Sequence, residues 1–314
     1  MHASSVSWVA VVLFGLAVSN PGLAGERRTT PAEEPPAVAG ARSSKYGIRP
    51  FPAPHEWVRA LQSIEGRFPG SQAYGIWIVG ALHERRGCQL EFPQSAGAPP
   101  EVSFLDYDKH EPYLTAFDEA GVRVFLQVEP GMAEPDALID LVLERYGRHP
   151  SVVGFGIDVE WYREAQHPEW GEKVDDATAA RWEARVKSHD PAFRLFLKHW
   201  DPGWMPPRYR GDIVFVDDSQ ALPDLDSMAE EFAVWGRTFA PNDVYFQIGY
   251  EADGPWWRSL DDPIRDVGGE ICSRIRQTCG IFWVDFTLRE VLPDELAIPG
   301  AADSQYIPSR GERD

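Results

Sequence analysis

The sequence is poor in positive charge, and this limits its possible partners. Its 314 residues include 30 lysines and arginines against 49 aspartates and glutamates, a formal net charge of −19. Such a chain repels polyanions, so we expect no binding to nucleic acid or to acidic membrane surfaces. A neutral or cationic partner is compatible with this charge.

Cysteine is also scarce: the chain has only Cys88, Cys272 and Cys279. None of them has the Cys/His spacing of a zinc site, so we predict no metal and no organic cofactor. Three cysteines cannot all pair within one chain. Cys272 and Cys279 are close enough to close a short loop by a disulfide, and the alternative is that all three are buried thiols.

Long apolar runs are missing apart from one near the N-terminus, Val6 to Val18, and that run is short for a membrane span. Small residues follow it up to Ala24, as in a cleavable export signal. We predict a signal peptide over residues 1–24 and a secreted or periplasmic protein that leaves the membrane after cleavage. An uncleaved anchor is the alternative. The oligomeric state cannot be read from the sequence.

Composition divides the remainder of the chain. Residues 25–45 are rich in proline, alanine and charge without apolar periodicity, which predicts a disordered linker. Residues 301–314 form a polar tail. The folded region is therefore expected over 46–300, a usual size for one barrel domain.

Short β-rich runs alternate with amphipathic helical stretches inside that region. No glycine-rich phosphate or dinucleotide loop follows the first predicted strand, and no Gly-x-Ser-x-Gly elbow is present. Polar residues follow nearly every strand, which favours a single-domain (β/α)8 TIM-like barrel over an open doubly wound sheet. The predicted strands are Tyr74–Gly80, Cys88–Phe92, Arg123–Glu129, Val152–Glu160, Phe193–His199, Asp212–Asp217, Val244–Gly249 and Gly280–Asp285.

The fourth of these strands carries the strongest functional signal. Its end reads Gly-Phe-Gly-Ile-Asp158-Val-Glu160, and strand alternation places the two acids on one face, about 6–7 Å apart along the strand. Mutual repulsion raises the pKa of one of them, which suits Glu160 to general acid/base work and Asp158 to an orienting or stabilising role. The alternative is a structural ion pair with Lys198 and no catalysis.

This strand end resembles that of the chitinase-type glycoside hydrolases, in which Asp-x-Glu closes the fourth strand of a barrel. It is also similar to that of the barrel-type secreted lysozymes. The resemblance implies that Glu160 is the acid, that Asp158 orients the N-acetyl group of a substrate, and that Trp283 floors the sugar subsite. Gly156 stands where the family has another Asp, and Asp217-Asp218 stand where it has Tyr-Asp.

If the substrate-assisted mechanism does not apply, a second carboxylate must act. A partner about 5 Å from Glu160 implies retention of configuration and one about 6.5–9.5 Å away implies inversion. The sequence leaves the choice open. The candidates are Glu129, Asp217, Glu251 and Asp285.

Tryptophan is abundant, with 12 in the chain, and several follow strand ends where flat rings could stack on sugars. We therefore predict a carbohydrate substrate. The expected substrate-binding residues are Lys198, Trp200, Asp217, Gln247, Trp283, Asp285 and Glu129.

The sequence thus predicts a secreted glycoside hydrolase. Two alternatives remain. The first is a glycan-binding barrel without catalysis. The second is a lyase that forms a Schiff base through Lys198, because a lysine inside a barrel can have a lowered pKa.

Overall fold

The computed structural model describes residues 35–83, 87–94, 97, 99–164, 167 and 171–297. Eight parallel strands in this part of the chain form a closed barrel. The ten strands are β1 (Val38–Ser43), β2 (Gln72–His83), β3 (Gly87–Leu90), β4 (Val102–Phe104), β5 (Arg123–Val128), β6 (Val152–Asp158), β7 (Arg194–Lys198), β8 (Val214–Asp217), β9 (Val244–Ile248) and β10 (Cys279–Val284). The barrel order is β1-β10-β9-β8-β7-β6-β5-β2, and a β1–β2 pairing closes the ring. The predicted (β/α)8 fold is confirmed.

Among the described residues, eight α-helices surround the barrel: α1 (Pro54–Glu65), α2 (Glu111–Ala120), α3 (Pro135–Tyr146), α4 (Asp176–His189), α5 (Leu225–Phe239), α6 (Gly254–Trp257), α7 (Pro263–Ser273) and α8 (Leu288–Val291). Helix α1 shows how the sequence places them. A proline in its first turn starts it, and Trp57, Ala60, Leu61 and Ile64 form a buried stripe with helical spacing. The stripe packs on the outer face of β1 and β2.

Two apolar layers follow from strand alternation. The outer face of the barrel packs against the helices in one large cluster. The interior is filled by a second, smaller cluster, so the barrel is a packed core rather than a pore. Its members are Val38, Ile76, Phe125, Phe196, Val214, Val216, Tyr245 and Phe282.

The predicted linker over 25–45 is wrong for part of its length, because β1 lies within it. Strand β1 reads Val-Ala-Gly-Ala-Arg-Ser, and these small residues gave no strand signal. They are required by close packing: a Cβ at Gly40 would lie 1.6 Å from the carbonyl oxygen of Tyr74 on β2. The barrel therefore begins before residue 46.

The predicted strand Cys88–Phe92 is also misplaced. Its first residues lie in β3, which pairs antiparallel with the end of β2 and parallel with β4. This pair extends β2 beyond the ring and is not a barrel strand. In the ring β2 pairs directly with β5, and the eighth barrel strand is β1, which lies between β10 and β2.

The Cys272–Cys279 disulfide is present and connects α7 to β10, with a Cα–Cα distance of 5.8 Å. Cys88 is a buried free thiol. In the described part of the chain, no helix is long and apolar enough to cross a membrane. The predicted signal peptide, the first part of the linker and the polar tail lie outside the described residues.

Candidate active site at the mouth of the barrel

Parallel strands bring their carboxyl ends to one edge, and this edge forms the mouth of the barrel. Inward-facing residues of four strands end there in polar groups: Arg42 on β1, Gln127 on β5, Lys198 on β7 and Gln247 on β9. All four are buried. The interior core therefore ends in a polar layer below the mouth.

Lys198 is the centre of the site. Its Nζ lies 3.0 Å from Oδ2 of Asp158 and 2.6 Å from Oδ2 of Asp218, and it contacts Oε1 of Glu160 as well. Asp158 ends β6, Glu160 lies in the 3-10 turn that follows, and Asp218 comes directly after β8. Three carboxylates thus surround one ammonium group. We call these four residues the acid cluster.

Glycine at position 156 leaves room beneath the acid cluster. A Cβ at Gly156 would lie 2.0 Å from the ring of Phe196 on β7. The Phe196 side chain therefore occupies the space that a larger residue at 156 would need.

The excess of carboxylates separates their pKa values. Burial raises the pKa of Glu160 well above its usual value, and the charges of Asp158 and Asp218 raise it further. Burial also opposes ionisation of Asp218, but Lys198 and a hydrogen bond with Glu160 outweigh burial and lower its pKa. The two shifts run in opposite directions, so the site favours the protonated form of Glu160 and the carboxylate form of Asp218. Burial raises the pKa of Asp158 to about 6, against the opposing effect of Lys198.

The surroundings of Lys198 favour its charged ammonium form over the neutral amine that a Schiff-base lyase needs. Burial lowers its pKa, but Asp158, Asp218 and Glu160 outweigh burial and raise it well above the usual value. A Schiff base forms from the neutral amine. The structure therefore speaks against the lyase alternative and assigns Lys198 to charge balance within the acid cluster.

Solvent reaches the acid cluster unevenly. The Glu160 side chain is 12% exposed, against 4% for Asp158 and 2% for Lys198. Asp218 also lines a cleft of about 440 Å³ together with the half-buried ring of Trp200. The proton-bearing acid is thus the most accessible one, and the cleft begins at its ionised partner.

The two glutamines have fixed amide orientations. Gln127 donates from Nε2 to Oδ2 of Asp158 over 3.3 Å, which leaves its Oε1 without a partner among the described residues. Gln247 accepts from Nε of Arg42 and from the Tyr250 hydroxyl, both over 3.3 Å. Because its oxygen is engaged, its Nε2 is the group left to donate. The predicted contact residue Gln247 thus lies at the mouth.

Glu129 lies at the β5 side of the mouth. Its Oε2 accepts from the Tyr46 hydroxyl over 2.7 Å and from the Leu82 backbone N–H over 3.0 Å. The salt bridges of Lys198 go to Asp158, Glu160 and Asp218, so Glu129 stands apart from the acid cluster. Glu129, which was predicted as a contact residue, thus lies near the site and is bound by Tyr46 in the loop after β1.

Asp285 supports a loop rather than facing the barrel centre. Its carboxylate accepts from the N–H and the hydroxyl of Ser44 over 2.8 and 3.0 Å, and it lies 3.5 Å from Nη1 of Arg42. The residue is fully buried, and burial raises its pKa although Arg42 lowers it. It therefore fastens the loop after β10 to the loop after β1.

Two of the residues predicted to contact substrate, Trp283 and Asp217, lie on the outer face of the barrel wall and not on the face towards the mouth. Trp283 belongs to the outer cluster, fully buried against Trp257 at 5.3 Å between ring centroids. Asp217 is also fully buried, and its Oδ1 accepts from the Ser219 N–H over 2.8 Å. Alternation along β8 places Asp217 with Phe215 on the outer face. Neither residue can contact a sugar in the mouth.

Sequence reasoning missed Asp218, Arg42 and Tyr250. Asp218 was noted beside Asp217 but was not chosen as the second carboxylate, although Val214, Val216 and Asp218 share one face. Arg42 lay in the segment interpreted as a linker. No periodic signal marks Tyr250, because it follows the end of β9.

Comparisons with known proteins support the fold. No family model and no curated protein matches the chain. It is similar to a Bacteroides thetaiotaomicron protein provisionally described as an α-L-fucosidase, with a TM-score of 0.56 and 11% identity over 89% of this chain and 98% of that one. A glucosidase from Croceicoccus marinus gives a TM-score of 0.46 and 10% identity over 79% of this chain and 59% of that one. The first likeness supports the barrel architecture, the second is too weak to add to it, and neither concerns the chitinase-type resemblance.

Proposed function

We propose that the protein is a glycoside hydrolase with Glu160 as the general acid/base and Asp218 as the second carboxylate. The observation that carries the proposal is that Glu160 and Asp218 both contact Nζ of Lys198 at the mouth of the barrel, with the pKa of Glu160 raised and that of Asp218 lowered. A proton donor next to a carboxylate is the pair that glycosidic cleavage requires. The description of the similar B. thetaiotaomicron protein as an α-L-fucosidase agrees with this class of reaction.

The pairing with Lys198 alone would also fit a structural ion cluster. A structural cluster gains most when charges balance, since unpaired buried charge is costly. Here three carboxylates face one ammonium, and the most accessible of them, Glu160, has its pKa raised well above the usual value. That arrangement favours a catalytic role over a purely structural one.

The spacing favours retention of configuration. Glu160 and Asp218 both contact Nζ of Lys198, so their nearest oxygens are less than about 6 Å apart by hydrogen-bond geometry. An inverting pair needs about 6.5–9.5 Å to admit water. In the proposed reaction Glu160 protonates the leaving oxygen while Asp218 attacks C1 and forms a glycosyl ester. Water then hydrolyses the ester after giving a proton to Glu160.

The decisive experiment compares Glu160→Gln with the parent protein on 4-nitrophenyl glycosides of neutral sugars, including the α-L-fucoside. We expect the parent to hydrolyse at least one glycoside and Glu160→Gln to lower kcat by about 10²–10⁴-fold, because general acid catalysis contributes that much. Glu119→Gln, on the exposed side of α2, is the matched control and should keep full activity.

The pH profile tests the role of the Glu160 proton. Because burial raises the pKa of Glu160, its acid form persists to higher pH than that of an ordinary glutamate. Activity should be present below the pKa of Glu160 and lost as the pH rises through it. Glycan binding without turnover in the parent protein would instead indicate the glycan-binding alternative.

We also propose that the protein is exported. The apolar run before Ala24 and the Cys272–Cys279 disulfide both fit a protein that matures in an oxidising compartment. N-terminal sequencing of the mature protein should find a start after Ala24. An intact N-terminus on membrane-bound protein would contradict this.

A further inference from the structure

Two exposed aromatic rings lie at the rim of the mouth, and the proposed reaction does not use them. Tyr46, in the loop after β1, is 45% exposed, and Phe286, in the loop after β10, is 43% exposed. Most other large aromatics of the described chain are buried. Single exposed rings are common, so exposure alone does not make a site.

Both rings are held in place by residues of the mouth. The Tyr46 hydroxyl donates to Glu129, and Nζ of Lys45 lies 5.4 Å from the centroid of the Tyr46 ring. The Arg42 guanidinium lies 5.1 Å from the centroid of Phe286. Such cation–π contacts restrict ring motion. A ring that is already fixed loses little conformational entropy when a ligand stacks on it.

The Asp285 carboxylate couples the two loops. It precedes Phe286 in sequence and binds both the N–H and the hydroxyl of Ser44, while the Ser44 hydroxyl accepts from the Tyr46 N–H over 3.2 Å. The backbones that present the two rings are therefore linked through one buried carboxylate. This gives Asp285 a role in supporting an aromatic surface.

The strand order sets the rings across the mouth from Asp158, Glu160 and Lys198, whereas Asp218, after β8, is closer to them in the ring. In the ring of eight strands, β10 is four strands from β6, and β1 is four strands from β7. The loop of Phe286 thus faces the strand of Asp158 and Glu160, and the loop of Tyr46 faces that of Lys198. A sugar between the two sides would meet carboxyl groups on one side and aromatic rings on the other.

We propose that Tyr46 and Phe286 form an aromatic subsite that binds the apolar face of an uncharged sugar ring. The inference deepens the proposed glycosidase function and rests on it. Aromatic faces suit the C–H surface of a pyranose, and the carboxylates of the mouth outnumber its cations, so an anionic sugar is disfavoured. Tyr46 and Phe286 are then binding residues and take no part in proton transfer.

The test measures binding in the Glu160→Gln background, so that turnover does not interfere. The probes are four neutral tetrasaccharides: cellotetraose, maltotetraose, mannotetraose and N-acetylchitotetraose, each titrated by calorimetry. We expect at least one to bind, and Phe286→Ala to raise its Kd about 3- to 10-fold, the usual value of one aromatic contact. Phe286→Trp should restore the affinity.

Tyr107→Ala is the matched control. Tyr107 is 57% exposed, but its neighbour Asp108 bonds the Tyr146 hydroxyl on α3, away from the mouth. Its removal should leave Kd unchanged. The subsite is overturned if no tetrasaccharide binds or if Phe286→Ala binds as tightly as its parent.

The two proposals fail in different ways. If the protein with Glu160 intact hydrolyses a glycoside and Phe286→Ala leaves both KM and Kd unchanged, the subsite is wrong and the hydrolase stands. If binding depends on Phe286 but no glycoside is hydrolysed, the subsite stands and the hydrolase is wrong.

Discussion

At the end of β8, two consecutive aspartates lie on opposite faces of the barrel wall and have different surroundings. Asp218 turns inward, lies 2.6 Å from Nζ of Lys198, and has a lowered pKa because the ammonium outweighs burial. Asp217 turns outward and has no cation within salt-bridge distance among the described residues. Burial raises its pKa well above the usual value, although a hydrogen bond from Ser219 lowers it. The same residue type thus has a raised pKa on one face and a lowered pKa on the other.

The end of β10 repeats this contrast with aromatic rings. Trp283 is fully buried on the outer face, and its indole N–H donates to Oγ1 of Thr287 over 2.9 Å. Phe286, three residues later, is 43% exposed at the mouth. Residue type at a strand end therefore does not decide function. The face on which the side chain lies decides it.

The largest expected effect is the difference in activity between the Asp218→Asn and Asp217→Asn variants. Asp218→Asn removes the proposed nucleophile and should lower kcat on a hydrolysed glycoside by at least roughly 10³-fold, because no glycosyl ester can then form. Asp217→Asn replaces a buried carboxyl group on the outer face by an amide of the same shape and should leave kcat within about two-fold. Steady-state kinetics on both variants measures the difference.

Circular dichroism of the two variants provides the control, since both must fold for the comparison to hold. Equal losses of activity in well-folded Asp217→Asn and Asp218→Asn would show that the assignment of faces has no functional meaning.

The two aromatic residues of the β10 end should separate stability from binding. Trp283→Ala leaves a cavity between β10 and Trp257 and should reduce the free energy of unfolding by about 3–5 kcal/mol. Phe286→Ala removes an exposed ring and should change it by less than about 0.5 kcal/mol. Urea denaturation measures both values. A stable Trp283→Ala variant with impaired glycan binding would return Trp283 to the site.

Much of this architecture follows from sequence pattern. The alternation of apolar strands and amphipathic helices predicts the barrel. The predicted strand Val152–Glu160 is too long, because β6 ends at Asp158 and Glu160 lies in a 3-10 turn, although both acids contact Nζ of Lys198. Period 2 along a strand therefore accounts for the face of Asp158 but not for the position of Glu160. The sequence pattern did not predict strand β1, because its small residues allow close packing against β2 and show no apolar periodicity.

The sequence pattern alone does not show which of the two alternating faces of a strand points into the barrel. Asp217 and Asp218 are equally polar, and a strand buried on both sides has apolar residues at every position, so neither face is marked as inner. Trp283 was misassigned for the same reason. The inner face is set only when the ring of strands closes. Closure requires small residues at close contacts, such as Gly156 beside the ring of Phe196.

The smallest effect expected here is a pH-dependent gain in stability from Asp217→Asn. The folded-state pKa of Asp217 is raised above the unfolded value, so the wild-type acid stabilises the fold fully below the unfolded pKa and loses that contribution as pH rises through the folded pKa. The amide has no charge to bury. Its Tm should exceed that of the wild type by a few degrees at pH 7, and the gap should close towards pH 4. The exposed Asp226→Asn is a suitable control, since its Tm difference should not change with pH in this way. A constant Tm difference for Asp217→Asn from pH 4 to pH 7 would mean that Asp217 is ionised in the folded protein and that a cation or solvent reaches the outer face.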